Sequence, residues 1–291
     1  MSIFQNLSTK CIRQSFVTCK FASRFSTQSK FQDTDQSHQT HFGYETVDEN
    51  EKSEKVHEVF EKVASSYDKM NDAMSFGVHR IWKHLFMQRL NPPHGTELLD
   101  VAGGSGDIAF RFLEYLKNQE NPDNVPSHVT VCDINEAMLN VGINRAKKLG
   151  YTDENQINWL LGDAEKLPIE SDSFSAYTIS FGIRNVTRIE KALDEAYRVL
   201  KPGGRFMCLE FSQVNNELLR QMYDSYSFTV IPVMGQIIAG QWKPYQYLVE
   251  SIRKFPDQET FKKMIEDAGF RSVTYENLTF GVVAIHSGFK L

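Results

Sequence analysis

Leu98-Leu99-Asp100-Val101-Ala102-Gly103-Gly104-Ser105-Gly106-Asp107 is the stretch from which the fold can be read. A short apolar run enters a glycine-rich turn, and residues 107–117 follow with helical character. Glycines let a backbone approach a ligand closely, and the start of a helix offers unpaired N–H groups. The turn does not name its ligand. Residues 104–109 also fit the G-x-G-x-x-G/A fingerprint of nicotinamide and flavin binders.

Outward from this turn, short apolar runs alternate with helical ones. Strands are expected over 97–101, 128–133, 157–161, 176–181 and 205–211, and helices over 107–117, 136–149, 188–200 and 213–229. Such alternation implies parallel strands with crossover helices on both faces, and a ligand at the carboxyl ends of the strands. Near the end, a helix over 257–268 closes with Gly269, and strands over 272–280 and 282–289 have only Gly281 between them. A crossover helix does not fit there, so at least one of the two runs antiparallel. Ahead of the turn, Val56, Val59, Phe60, Val63 and Tyr67 recur at helical spacing, and a second helix over 78–89 stops at Asn91-Pro92-Pro93.

The chain has 291 residues, 41% hydrophobic and 24% charged, enough for one main domain. No apolar run reaches the roughly 18–20 residues of a membrane-crossing helix. Residues 1–32 hold Lys10, Arg13, Lys20, Arg24 and Lys30 among Ser, Thr and Phe, with no acid before Asp33. That is a mitochondrial transit-peptide composition. A polar linker is expected over 33–53 and the folded domain over 54–291. The net charge of −5 becomes −10 without the first 32 residues, which argues against nucleic acid as a partner. Cys132 and Cys208 lie in apolar strand-like runs without ligand-spaced neighbours, so they read as core rather than as a disulfide or zinc site.

Three carboxylates bear on the cofactor. Asp100 stands just before the turn, where it suits an ammonium or sulfonium and repels a diphosphate. Asp133 follows the second strand and can accept from ribose hydroxyls, a role that nicotinamide enzymes share. Gly162-Asp163-Ala164 follows the third strand and looks like the adenine-recognition segment of class I methyltransferases. Together with Gly103, Gly104 and Ser105 of the turn, these residues favour S-adenosylmethionine.

Longer motifs carry a more specific resemblance. Tyr67-Asp68-Lys69-Met70-Asn71-Asp72-Ala73-Met74-Ser75-Phe76-Gly77-Val78-His79-Arg80-Ile81-Trp82 and Arg198-Val199-Leu200-Lys201-Pro202-Gly203-Gly204-Arg205-Phe206-Met207-Cys208-Leu209-Glu210-Phe211-Ser212 match both signatures of the ubiquinone/menaquinone biosynthesis C-methyltransferases. Between them lies Ser180-Phe181-Gly182-Ile183-Arg184-Asn185-Val186, also typical of that family. The resemblance covers residues 56–291; Ser105 stands where many relatives look to have Thr. It implies a class I methyltransferase sheet, mostly parallel with an antiparallel C-terminal strand, and helices on both faces. It further implies S-adenosylmethionine as co-substrate without a metal, and Ser180 among the cofactor contacts.

With the presequence, the implied reaction is C-methylation of a 2-methoxy-6-polyprenyl-1,4-benzoquinol in ubiquinone synthesis. Demethylmenaquinol methylation and a structural role in a quinone-biosynthesis complex remain as alternatives. Arg184 and Asn185 are expected to steady the quinolate and orient a ring oxygen. Tyr67 and His79 are expected to close the pocket, His79 being the natural proton acceptor by pKa. The resemblance also implies a homodimer, association with other ubiquinone enzymes, and a peripheral position on the matrix side of the mitochondrial inner membrane. Residues 228–242 could line a channel for the polyprenyl tail, rest on a membrane, or simply be core or a dimer contact.

Overall fold

The computed structural model describes residues 39–63 and 67–291, with the side chains of 62–69 outside the described set. The expected targeting segment also lies outside it. The described chain starts as a hairpin of β1 (Gln39–Phe42) and β2 (Glu45–Asp48), followed by α1 (Glu49–Val63), α2 (Tyr67–Ser75) and α3 (Val78–Leu90). Strands and helices then alternate through β3 (Glu97–Val101), α4 (Asp107–Lys117), β4 (His128–Asp133), α5 (Glu136–Leu149) and β5 (Ile157–Leu161). Next come β6 (Phe174–Ser180), a 3-10 turn (Ile183–Asn185), α6 (Ile189–Val199) and β7 (Leu200–Phe211). Helices α7 (Glu217–Thr229), α8 (Ile231–Ala239), α9 (Lys243–Lys254) and α10 (Gln258–Asp267) precede β8 (Arg271–Leu278) and β9 (Val283–Phe289).

Seven of the strands form one sheet in the order β5-β4-β3-β6-β7-β9-β8. All neighbours from β5 to β7 pair in parallel, and β9 slots between β7 and β8 antiparallel to both. The inner strand β3 is buried almost throughout because helices cover both sides of it. Leu98 joins Trp82, Phe86, Phe112 and Val131 on one face, whereas Leu99 joins Tyr177, Ile179, Leu193 and Phe261 on the other. A third cluster of Met70, Ile231, Tyr245 and Val249 binds α2, α8 and α9 together. Among the described residues no helix is long and apolar enough to cross a membrane.

Several expectations need correction. Residues 39–53, expected within the linker, form the hairpin and the first part of α1, tied down where Phe42 stacks on Tyr247 at 4.2 Å between ring centres. Hydrophobe-poor composition hid them because their partners lie some two hundred residues away in sequence. Lys201-Pro202-Gly203-Gly204 stays inside β7 as an insertion: Phe174 pairs with Leu200 and Ala176 with Arg205, so the extra residues loop out of the ladder. Helix α7 begins four residues later than expected, where the Asn216 side chain accepts from Leu219 N at 3.1 Å. It ends at Thr229 as expected; Pro232 lies in the first turn of α8, and the unforeseen α9 follows.

Candidate active site

Register brings the carboxyl ends of three strands level. Asp100 pairs with both Val131 and Thr178, and Val101 with Cys132 and Ile179, so the chain leaves β3, β4 and β6 side by side. A cavity of about 690 Å³ opens there and is lined by all of Asp100, Gly103, Gly104, Ser105, Asp133, Asp163, Ala164 and Ser180. The eight residues expected to hold a cofactor are thus assembled around one space. A Cβ on Gly103 would stand 2.7 Å from Val131 Cγ1 and 2.8 Å from Asp100 Oδ2, so the turn tolerates no side chain there. Ala102 and Phe181 flank the cavity with φ of +51° and +57°, a conformation that costs non-glycine residues energy and gathers at functional sites.

Each acidic contact has a defined local cause. Thr178 Oγ1 donates to Asp100 Oδ1 at 2.8 Å, while Oδ2 is buried without a partner. Burial pushes the Asp100 carboxyl up to about 7, the Thr178 hydrogen bond opposing it. Asp133 is held by Gly104 N at 2.9 Å and Asn135 N at 2.8 Å, leaving lone pairs on both oxygens for ribose hydroxyls. Burial raises its pKa, with these backbone donors pulling the other way. Asp163 Oδ1 accepts from Glu165 N at 2.9 Å, which fixes the turn after β5.

The lining fits S-adenosylmethionine better than a dinucleotide. Glu49, Glu54, Asp100, Asp107, Asp133, Asp163 and Glu165 face Lys83 and Arg188, an excess of carboxylate that suits a sulfonium and an ammonium and opposes a diphosphate.

Next to this space lies a smaller one of about 120 Å³, with Trp82, Phe181, Phe211, Tyr223, Tyr226, Tyr245 and Tyr247 in its walls. Phe60, Lys83 and Phe181 line both. Arg184 and His79 belong to the smaller cavity, Asn185 to the larger. Arg184 is buried against Glu210: Nη1 donates to Glu210 Oε1 at 2.9 Å and to the Phe181 carbonyl at 2.6 Å, and Nε has no partner. Burial pushes the Glu210 carboxyl up while Arg184 pulls it down. Asn185 Oδ1 accepts from Tyr247 Oη at 3.0 Å. His79 Nε2 lies 2.8 Å from Asp72 Oδ1, its Nδ1 is unpartnered, and burial holds its pKa below the usual imidazole value despite that contact. Tyr67 opens α2, with its side chain outside the described set.

Sequence reading missed the roof of the larger cavity. Ser53, His57 and Phe60 of α1 line it. Lys52 Nζ donates to the Val186 carbonyl at 2.9 Å, and Arg188 joins Glu165 at 2.6 Å to Glu49 at 3.7 Å. Lys83 and Thr178 were missed as well. On α3 the buried residues His79, Trp82, Lys83, Phe86, Met87 and Leu90 share one helical face, so two polar residues interrupt an apolar stripe. That interruption was a readable signal.

Strand order, a carboxylate-rich cavity at the strand ends and an aromatic chamber beside it define a class I S-adenosylmethionine-dependent methyltransferase. Residues 48–290 match the ubiE/COQ5 methyltransferase family, and the chain belongs to that family. It is similar to the mitochondrial 2-methoxy-6-polyprenyl-1,4-benzoquinol methylase of Drosophila melanogaster, 66% identical over 87% of this chain and 85% of that protein. The Homo sapiens protein of the same description is 58% identical over 87% and 85% of the two chains. A solved S-adenosylmethionine-dependent methyltransferase of Thermotoga maritima shares the fold, with a TM-score of 0.55 at 18% identity over 81% of this chain and 100% of that one.

Proposed function

We propose that this chain methylates a ring carbon of a 2-methoxy-6-polyprenyl-1,4-benzoquinol during ubiquinone synthesis. The observation that carries this reading is the shared wall of Phe60, Lys83 and Phe181 between a cofactor-sized cavity and an aromatic chamber holding Arg184 and His79. The names of the relatives support the substrate class. Apolar Met70, Ile231, Leu248 and Ile252 in the chamber suit a polyprenyl chain.

The donor supplies a methyl group already activated by its sulfonium. What the protein must add is alignment and an electron-rich carbon. His79, with Nε2–H donating to Asp72, is left with the Nδ1 lone pair to take the quinol proton. Arg184, its Nη1 anchored on Glu210, steadies the phenolate oxygen, and Asn185 orients the ring. The ring carbon then forms its bond to the methyl carbon as the S–CH3 bond breaks; its own hydrogen leaves as a proton to water and the ring regains aromaticity. Tyr67 keeps its proposed place in the pocket wall.

Turnover of a short-tailed methoxybenzoquinol tests these roles. Removing one member of a pair buried this deeply costs about 3–5 kcal/mol, so Arg184→Lys rather than Ala is the variant of choice. It is expected to lower kcat with little change in KM for the donor. His79→Gln is expected to abolish the acid limb of the pH–rate profile, which in the unmodified enzyme falls below the ordinary imidazole pKa. The charges acting on His79 are Asp72, Lys83 and Asp107; Asp72→Asn therefore moves the limb to still lower pH. An unchanged profile in both variants sinks His79 as the base.

The presequence-like first 32 residues and the relatives' descriptions support a mitochondrial location, and a peripheral position on the matrix side of the inner membrane is part of the same proposal. Homodimerisation and contact with other ubiquinone-synthesis enzymes belong to the same proposal.

A further inference from the structure

The methyl donor is a zwitterion at its amino-acid end, carrying a carboxylate besides the ammonium, and that carboxylate calls for a basic group in the cavity described above. Two full cations line that cavity, Lys83 and Arg188. Arg188 is clamped between Glu165 and Glu49 next to Asp163, at the adenine end. His57 stands on α1 where its carbonyl meets Asn135 Nδ2 at 3.5 Å, near the ribose-binding Asp133. Lys83 is left at the opposite end, buried, beside Asp100.

Lys83 looks neutralised, since its Nζ donates to Asp107 Oδ2 at 2.8 Å. Asp107, however, also meets Arg111 Nε at 3.5 Å and Arg145 Nη2 at 3.4 Å, so three cations share a single carboxylate. Burial would raise the pKa of Asp107, and these cations outweigh it, holding the carboxyl well below its ordinary range. Lys83 thus shares its carboxylate with two arginines, and an ammonium has three donors, of which a described hydrogen bond engages one. Asp100 supplies the complementary anion, its buried Oδ2 having no partner.

We propose that Lys83 binds the α-carboxylate of the methyl donor while Asp100 takes its ammonium, which places the donor's amino-acid end at the wall shared with the acceptor chamber. This rests on the methyltransferase reading of the larger cavity. Charge-assisted bonds of this kind are roughly twice as strong as neutral ones.

The test uses the full chain and two ligands followed by calorimetry: S-adenosylhomocysteine, which keeps the amino-acid end, and 5′-methylthioadenosine, which lacks it. Lys83→Met is expected to weaken S-adenosylhomocysteine binding by about 10- to 100-fold, the scale of a hydrogen bond to a charged group, and to leave methylthioadenosine unchanged. Lys83→Arg is expected to restore most of the loss. On the unmodified chain, decarboxylated S-adenosylmethionine is expected to bind about tenfold or more weakly than the parent, a comparison that needs no variant to fold. Equal weakening of both nucleosides by Lys83→Met would make the lysine structural and overturn the proposal, as would parity between the parent and its decarboxylated form. An unmodified chain that binds none of these ligands overturns the donor cavity itself, and the lysine's role with it.

Discussion

Asp100 condenses the chemistry of the site into one side chain. Its carboxyl titrates near 7 in the folded chain against 3.8 for the unperturbed group, because burial disfavours the charge. The folded state therefore holds a proton that the unfolded state releases, and stability from this group is full below about pH 4 and is lost as pH rises towards 7. At most it amounts to about 1.4 kcal/mol per pH unit within that window. Asp100→Asn is expected to flatten this part of a denaturant-monitored stability profile, and a slope that survives the substitution would point to other groups. Donor affinity should move the opposite way, rising through about pH 7 as the carboxylate forms to meet the ammonium. Residues such as Asp100, Asp133 and Asp163 were legible because each stands at or just past the carboxyl end of a strand, where the sheet topology puts ligands. Thr178 was not, because its importance lies in what it touches across the sheet, and Lys83 showed only as a polar break in the apolar stripe of α3, where a Lys usually reads as a solvated face.

At the scale of elements, strand and helix periodicity located β3, β4, β5, α4 and α5 to the residue, since each has one apolar pattern and a clear stop. The hairpin and the first turn of α1 escaped notice because their order comes from distant partners: Tyr247, Val186 and the Arg188 ion pairs. Those contacts hold α1 against the larger cavity, and α1 is expected to loosen when ligand exchanges. Exposed pairs contribute about 0.2–1 kcal/mol each, so the latch is weak enough to open. Arg188→Gln is expected to raise the dissociation constant of S-adenosylhomocysteine about two- to fivefold, by that same range of energies, and to speed hydrogen exchange in α1. Exchange in α1 that is indifferent both to the substitution and to bound ligand would show that α1 is a fixed wall.

For the whole molecule, the strand ends carry the larger cavity, proposed for the donor, and α2, α3, α7, α8 and α9 contribute walls to the aromatic chamber, proposed for the acceptor. Helices α7 and α8 also leave Leu218, Met222, Val233 and Ile237 exposed, as is Trp242 after them in the chain. An apolar outer surface next to a chamber for a membrane-soluble substrate fits peripheral attachment to a lipid surface. Met222→Glu with Ile237→Glu is expected to reduce co-sedimentation with vesicles while turnover of a short-tailed, water-soluble quinol persists; equal binding to vesicles would assign that surface to another contact. The central claim is carbon methylation by this assembled site, and product analysis reads it directly. The chain is incubated with S-adenosylmethionine carrying a 13C-labelled methyl group and a short-tailed 2-methoxybenzoquinol, and the product is examined by NMR. Label in a methyl group bonded to a ring carbon, absent in Asp133→Ala, is the predicted result. Label on a quinol oxygen, or none in any product of a folded, donor-binding chain, would contradict it.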